Sequence, residues 1–278
     1  MEVPSARAED MGARAYALGS CGLQAEEVGE RTRLSVYFAI SPELDFAAIE
    51  RELGRFAAEF DQQPISIASE LIEERDWEEE WRRFFQPIWA TPRIVVHPSW
   101  IPVSVEDGQV AVIIDPKMAF GTGGHESTQL CLTALEGHLF TGARCLDLGV
   151  GSGILSIAAA LLGAKSVLAV DIDPVAVANA RENIARNRIG SEQIEVRLGS
   201  MEVVEGESFD LILANIQSQV LQPLLTPLRS VLAEGGCVLF SGLLGRERKD
   251  FCEWIRTAEF RVETILEKGE WICIVAKG

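Results

Sequence analysis

Basic charge is scarce in this chain of 278 residues. Its 25 Lys and Arg face 42 Asp and Glu, for a net charge of −17. Residues 1–90 contain no lysine at all, only nine Arg against nineteen Asp and Glu. Neutralising a phosphate backbone takes clustered Lys and Arg, so a nucleic acid is excluded as the main partner. Long apolar runs are missing too. Residues 154–164 form the longest, eleven residues broken by Ser156, whereas a bilayer span needs about 20. With no basic-then-apolar leader at the start, the expectation is a cytoplasmic protein without a membrane partner. Metal-ligand spacing is equally absent. There are three His, and the six Cys (Cys21, Cys131, Cys145, Cys237, Cys252, Cys273) form no Cys-x-x-Cys pair. They read as buried thiols in a reducing compartment, with no metal. No internal repeat or low-complexity segment is visible.

What is present is apolar material, 47% of the chain, enough to core one domain plus a smaller one. Residues 32–40 alternate in polarity, and Ser41-Pro42 reads as the cap and first turn of a helix running to about residue 60. A short strand is expected at 64–68. These elements make a small α+β domain over 1–70. Its acid surplus suits a basic protein partner, although surplus acid also simply keeps a protein soluble. Residues 71–98 read as a linker with an amphipathic helix: Trp77, Trp81, Phe84 and Phe85 recur at helical spacing until Pro87 and Pro92 break the pattern. Four of the six Trp lie between 77 and 100, where packing at a junction explains them best. From 99 to 278, apolar runs alternate with helical segments, as in a parallel sheet covered on both faces. Strands are expected near 110–114, 144–149, 166–171, 194–198, 209–214, 236–241, 260–267 and 270–276. The last two are joined by Glu267-Lys268-Gly269-Glu270, too short for a helical crossover, and so form an antiparallel hairpin.

The chemistry concentrates at strand ends, where an open α/β sheet binds its ligands. Asp147, Gly149, Gly151 and Gly153 punctuate the first turn, and Asp171 closes the next strand. A dinucleotide turn wants Gly-x-Gly-x-x-Gly to cradle a pyrophosphate. Here an acid at 147 repels phosphate and suits the cationic methionine end of S-adenosylmethionine. Asp171 is placed to accept both ribose hydroxyls, leaving Asp173-Pro174 as helix cap and first turn. At the third strand end Ser200 offers a weak contact to an adenine amino group. At the fourth, Asn215 offers an uncharged acceptor and donor to the methyl-accepting group, or is an ordinary turn asparagine. Ahead of the glycine turn, Phe120, Gly121, Thr122, Gly123, Gly124, His125, Ser127 and Thr128 make a loop dense in glycine and hydroxyls, of the kind that covers a ligand. The bland alternative is a helix start capped by Ser127 or Thr128. A neutral amine attacking a sulfonium methyl group needs positioning more than a strong base, so no dedicated base is expected.

These residues together resemble the bacterial methyltransferase family that modifies large-subunit ribosomal protein eleven, the PrmA family. The resemblance rests on residues 115–125, 146–155 and 170–174, on Ala214-Asn215-Ile216, and on Asp76-Trp77 with Trp81 and Phe85. It covers roughly 70–278. It implies a class I, Rossmann-like methyltransferase fold: α/β, with a mostly parallel seven-stranded sheet, an antiparallel C-terminal hairpin and a small N-terminal α+β domain that binds the ribosomal protein. It implies methyl transfer to lysine or N-terminal amines. Thr128, Gly149, Asp171 and Asn215 match the family's cofactor positions, and Phe120 lies in the loop that closes over the cofactor. Asn215, Thr128 and Ser127 are then the catalytic candidates. Two departures stand out. The family commonly has two threonines where this chain has Ser127-Thr128, and Gln217-Ser218-Gln219-Val220-Leu221 replaces a Leu-Ala-x-Pro-Leu continuation. The second touches the acceptor side, which leaves another protein or a small-molecule amine as the alternative substrate.

Overall fold

The computed structural model describes residues 1–39, 45–59, 67–70, 85–115, 121 and 123–278. The chain divides into two compact units, Met1–Trp77 and Glu78–Gly278. In the first, β1 (Glu2–Pro4), β2 (Gly22–Val28) and β3 (Arg31–Tyr37) form an antiparallel sheet in the order β1-β3-β2. Helices α1 (Ala8–Ala17) and α2 (Phe46–Ala57) accompany it. Ile49, Leu53 and Ala57 recur every fourth residue on α2, so one face is apolar, and they join Val3, Met11, Ala15 and Leu34 in a separate small core. The expected start of α2 at Ser41-Pro42 is corrected: Asp45 is the cap, its carboxylate accepting the Ala48 N–H. The expected strand at 64–68 falls mostly, and the linker helix almost wholly, outside the described residues.

The second unit is built on a seven-stranded sheet: β7 (Arg144–Leu148), β8 (Ser166–Asp171), β9 (Ile194–Leu198), β10 (Phe209–Asn215), β11 (Leu232–Leu244), β12 (Arg261–Lys268) and β13 (Trp271–Lys277). Its order is β12-β13-β11-β10-β7-β8-β9. The chain enters at β7, runs outward to β9, then returns to β10 on the other side of β7. All pairs from β11 to β9 are parallel, and β13 alone is reversed, wedged between β11 and β12. Both faces are covered, so successive residues of one strand enter different cores. Cys145, Val167, Ala169, Leu213 and Leu239 face one way; Leu146, Leu148, Val170, Ile212 and Phe240 face the other. That is why these strands read as continuous apolar runs. Helices α3 (Glu126–His138), α4 (Ile154–Leu161) and α5 (Pro174–Arg186) precede or connect the first strands. Short α6 (Ser218–Leu221), α7 (Leu225–Val231) and α8 (Arg248–Thr257) follow β10 and β11.

Two expectations need correction. The strand expected at 110–114 is not in the main sheet. It is β6 (Val110–Ile113), paired in parallel with β5 (Ile94–His97), which pairs with β4 (Ile88–Trp89). A boundary at 98/99 would cut this small sheet, so the strands from 88 onward belong with the larger unit. Nor are all thiols buried: Cys131, Cys145, Cys237 and Cys273 are, Cys252 is half-buried, and Cys21 is exposed at the entry to β2, its Sγ–H donating to the Tyr37 carbonyl. Among the described residues no helix is long and apolar enough to cross a membrane.

Candidate active site

A pocket of about 560 Å³ opens at the carboxyl ends of the parallel strands, where the order reverses between β7 and β10. One wall is the turn after β7. Gly149, Gly151 and Gly153 hold φ of +79°, +52° and +86°, values that side chains disfavour. The Gly149 and Val150 N–H groups both donate to the Val170 carbonyl, binding the turn to β8. Asp171, at the end of β8, accepts the Gly151 N–H on Oδ2 and the Asp173 N–H on Oδ1, each at 3.0 Å. Each carboxylate oxygen therefore has one lone pair committed and others available to the pocket it lines. Asp173 caps α5 through the Val175 N–H at 2.8 Å, with Pro174 in the first turn. Ser200 also lines the pocket, its N–H donating to the Glu202 carboxylate, whose pKa these backbone hydrogen bonds hold low.

The opposite wall is built from the start of α3, the end of β10 and the start of β13. His125, Ser127, Asn215, Ile216, Gln217 and Trp271 line it. The helix cap is His125, not Ser127 or Thr128: its Nδ1 accepts the Ser127 N–H at 3.3 Å and lies 2.8 Å from Ser127 Oγ. An accepting Nδ1 places the neutral ring's hydrogen on Nε2. The imidazole meets the Trp271 ring edge-on, centroids 4.6 Å apart. Ser127 and Thr128 are fully buried. The Ser241 hydroxyl on β11 donates to the Ser127 carbonyl, and Asn215 Nδ2 lies 3.4 Å from Thr128 Oγ1. Among the described residues, Asn215 Oδ1 is buried and meets no hydrogen-bond partner. Such an acceptor is costly unless a donor arrives.

Four of the expected site residues do not line the pocket: Gly121, Thr128, Asp147 and Gly153. Asp147 does not face it. Its side chain points into the core at 1% exposure, where Oδ2 accepts the Ser156 hydroxyl at 2.6 Å. Period-two alternation along β7 puts it on the face covered by α4, and burial pushes its pKa up to about 7, the charge of Asp171 adding to the rise. Gly153 caps α4 and faces Ala180 of α5, where an added Cβ would meet Ala180 at 3.4 Å; it serves helix packing. Gly121 lies behind the glycine turn, its carbonyl accepting the Ser152 hydroxyl. Phe120 and Thr122 fall outside the described residues.

Sequence reasoning missed Trp271 and the clamp on Ile216, while Gln217, singled out there as an acceptor-side departure, does line the pocket. Beta-carbons at Gly149 and Gly242 would meet Ile216, at 2.6 Å from its Cγ2 and 2.8 Å from its carbonyl oxygen respectively. An isolated glycine inside an apolar strand is a signal of close backbone approach, and Gly242 carries it, at the register shift between β11 and β13.

Residues 6–278 match the family model described as Ribosomal protein L11 methyltransferase (PrmA). A ribosomal protein L11 methyltransferase of Heliobacterium modesticaldum is 39% identical over 249 residues, 88% of this chain and 78% of that protein. One from Clostridium botulinum is 36% identical over 260 residues, 91% and 81% of the respective chains. The crystal structure of a ribosomal protein L11 methylase from Lactobacillus delbrueckii subsp. bulgaricus superposes with a TM-score of 0.65 at 34% identity, covering 69% of this chain and 98% of that one. A match across nearly the whole length, on a sheet and pocket of this form, means that the chain belongs to the ribosomal protein L11 methyltransferase family.

Proposed function

We propose that this protein transfers methyl groups from S-adenosylmethionine to lysine or N-terminal amines of ribosomal protein L11. The observation that carries the reading is the pairing, across one pocket, of a carboxylate pre-set by two backbone N–H groups with a buried amide oxygen that has no donor among the described residues. The first fits a ribose diol and the second fits an amine N–H. The family match supports the choice of substrate.

The residues lining this pocket would hold S-adenosylmethionine, which would supply an electrophilic methyl group to the amine lone pair, the carbon–sulfur electron pair returning to sulfur. The chain's own residues hold and orient. Asp171 takes the ribose hydroxyls, Gly149 and Gly151 let the backbone approach, and Ser200 stands at the adenine end. Gly121 backs the glycine turn through its carbonyl, which accepts the Ser152 hydroxyl. Asp147 and Gly153 support the turn from behind. Asn215 accepts an amine N–H and so turns the nitrogen lone pair toward the methyl group, with Thr128 fixing the amide and Ser127 completing the polar floor. Such positioning is worth several kcal/mol of barrier. His125 has its Nδ1 lone pair engaged by Ser127, so the departing proton goes to water. The N-terminal unit, rich in acid, docks the basic substrate.

The direct test is transfer from labelled S-adenosylmethionine to purified ribosomal protein L11, with methyls counted by mass spectrometry and Asp171→Ala as control. Transfer to amines that the control loses supports both reaction and substrate. Cofactor binding without transfer would reject the substrate assignment.

A further inference from the structure

The glycine turn is held from behind by two side chains that the pocket does not expose. Ser152 is 2% exposed. Its hydroxyl donates to the Gly121 carbonyl at 2.6 Å and accepts the Ile154 N–H at 3.3 Å. Its own carbonyl accepts from Nδ2 of Asn183, 2.8 Å away on α5 and fully buried. The Asn183 side-chain Oδ1 in turn accepts the Asp115 N–H at 3.3 Å. Asp115 is tied down by its carboxylate, which accepts the Ser99 N–H and hydroxyl at 2.7 and 2.9 Å and pairs with Arg186 Nε at 2.8 Å. One turn along α5, Asn187 exchanges both amide hydrogen bonds with the backbone of Ile113. Asparagine is a poor choice for a helix interior. Asn183, inside α5, and Asn187, at its C-terminal cap, are both spent on backbone of the β6 exit and the glycine turn, and so have a function in placement.

We propose that Ser152 and Asn183 are positioning residues for the methyl transfer, a relay that keeps the glycine turn in register with Asp115 and Gly121. The inference rests on the cofactor reading above. Three glycines at positive φ give a turn that fits closely against a ligand but has almost no side chain to hold itself. Ser152, between two of them, is the turn's anchor: its carbonyl and hydroxyl fix the peptide planes on either side. One residue earlier, the Gly151 N–H is the donor that pre-sets Asp171. When either relay bond is cut, the turn samples states in which Gly151 no longer meets Asp171. Cofactor affinity then falls although neither side chain touches the cofactor.

The test uses the full chain, with S-adenosylmethionine binding by calorimetry, methyl-transfer kinetics, and circular dichroism with melting as a check of fold. Folded Ser152→Ala and Asn183→Ala are each expected to raise the cofactor Kd about tenfold, the size of one buried hydrogen bond. KM for the cofactor should rise in parallel while kcat changes by less than about threefold. The double variant should be no weaker than the weaker single one, because both break the same relay. Wild-type affinity in folded Ser152→Ala protein overturns the proposal, and so does full additivity in the double variant. If the unaltered protein binds no S-adenosylmethionine, the cofactor reading falls and the relay with it; binding that survives Ser152→Ala overturns the relay alone.

Discussion

Asp147 and Asp171 end neighbouring strands and live in opposite surroundings. Asp171 sits at the pocket with two backbone donors on it, so Asp171→Ala removes both the proposed ribose acceptor and the brace on Gly151. Cofactor affinity should fall about 100-fold or more, read by calorimetry, since hydrogen bonds to a charged group contribute about 1.5–3 kcal/mol each. Asp147 has one hydroxyl for company, and its pKa of about 7 lies above the ordinary 3.8. Between those values the folded protein holds more proton than the unfolded chain, so this group's contribution to stability is full at low pH and is lost as pH rises through 7. The whole swing is about 4 kcal/mol at most. Asp147→Asn keeps an acceptor for Ser156 without the charge. Denaturant titrations should show the variant gaining on the wild type between pH 5 and pH 8, and a constant difference would mean the carboxylate is charged throughout. Asn215→Ala, which removes the donorless buried oxygen, should lower kcat about 10- to 100-fold while changing cofactor affinity much less, measured by single-turnover transfer.

At the scale of elements, placement comes from strand ends and helix starts. Gly242 has φ +75° and lies against the Ile216 backbone. Gly242→Ala brings both strain and a clash, at a cost of about 1–3 kcal/mol, visible as a lower Tm and a weakened acceptor wall. The glycine turn and Asp171 were legible because φ and strand-end position leave a mark in residue type and spacing. The parallel strands were legible because burial on both faces writes apolar runs. Three things were not. The direction in which Asp147 points is decided by the pleat, and a one-residue shift in where β7 begins would reverse it. The cap on α3 went to a histidine, which cap statistics rank below the adjacent Ser127 and Thr128. Trp271 reaches the pocket only because β13 is inserted between β11 and β12, a pairing that no local pattern encodes.

For the whole molecule, the two units have separate cores, and the proposed division of labour gives them separable tasks. A fragment of residues 78–278 should bind S-adenosylmethionine within about twofold of the full chain, yet methylate ribosomal protein L11 at least 100-fold more slowly, the size of effect that losing a tethered docking site produces. An undiminished rate would remove the docking role from the first unit. The clamp on Ile216 bears on how such an enzyme can diversify. Gly149 presses on the side chain of that residue and Gly242 on its main chain, so neither glycine can gain a β-carbon without a clash. Gln217, Val220 and Leu224 face the same space without that restriction. Room to change what this site accepts therefore lies in one short helix and its flanks, while the glycine-clamped frame has little space for any side chain.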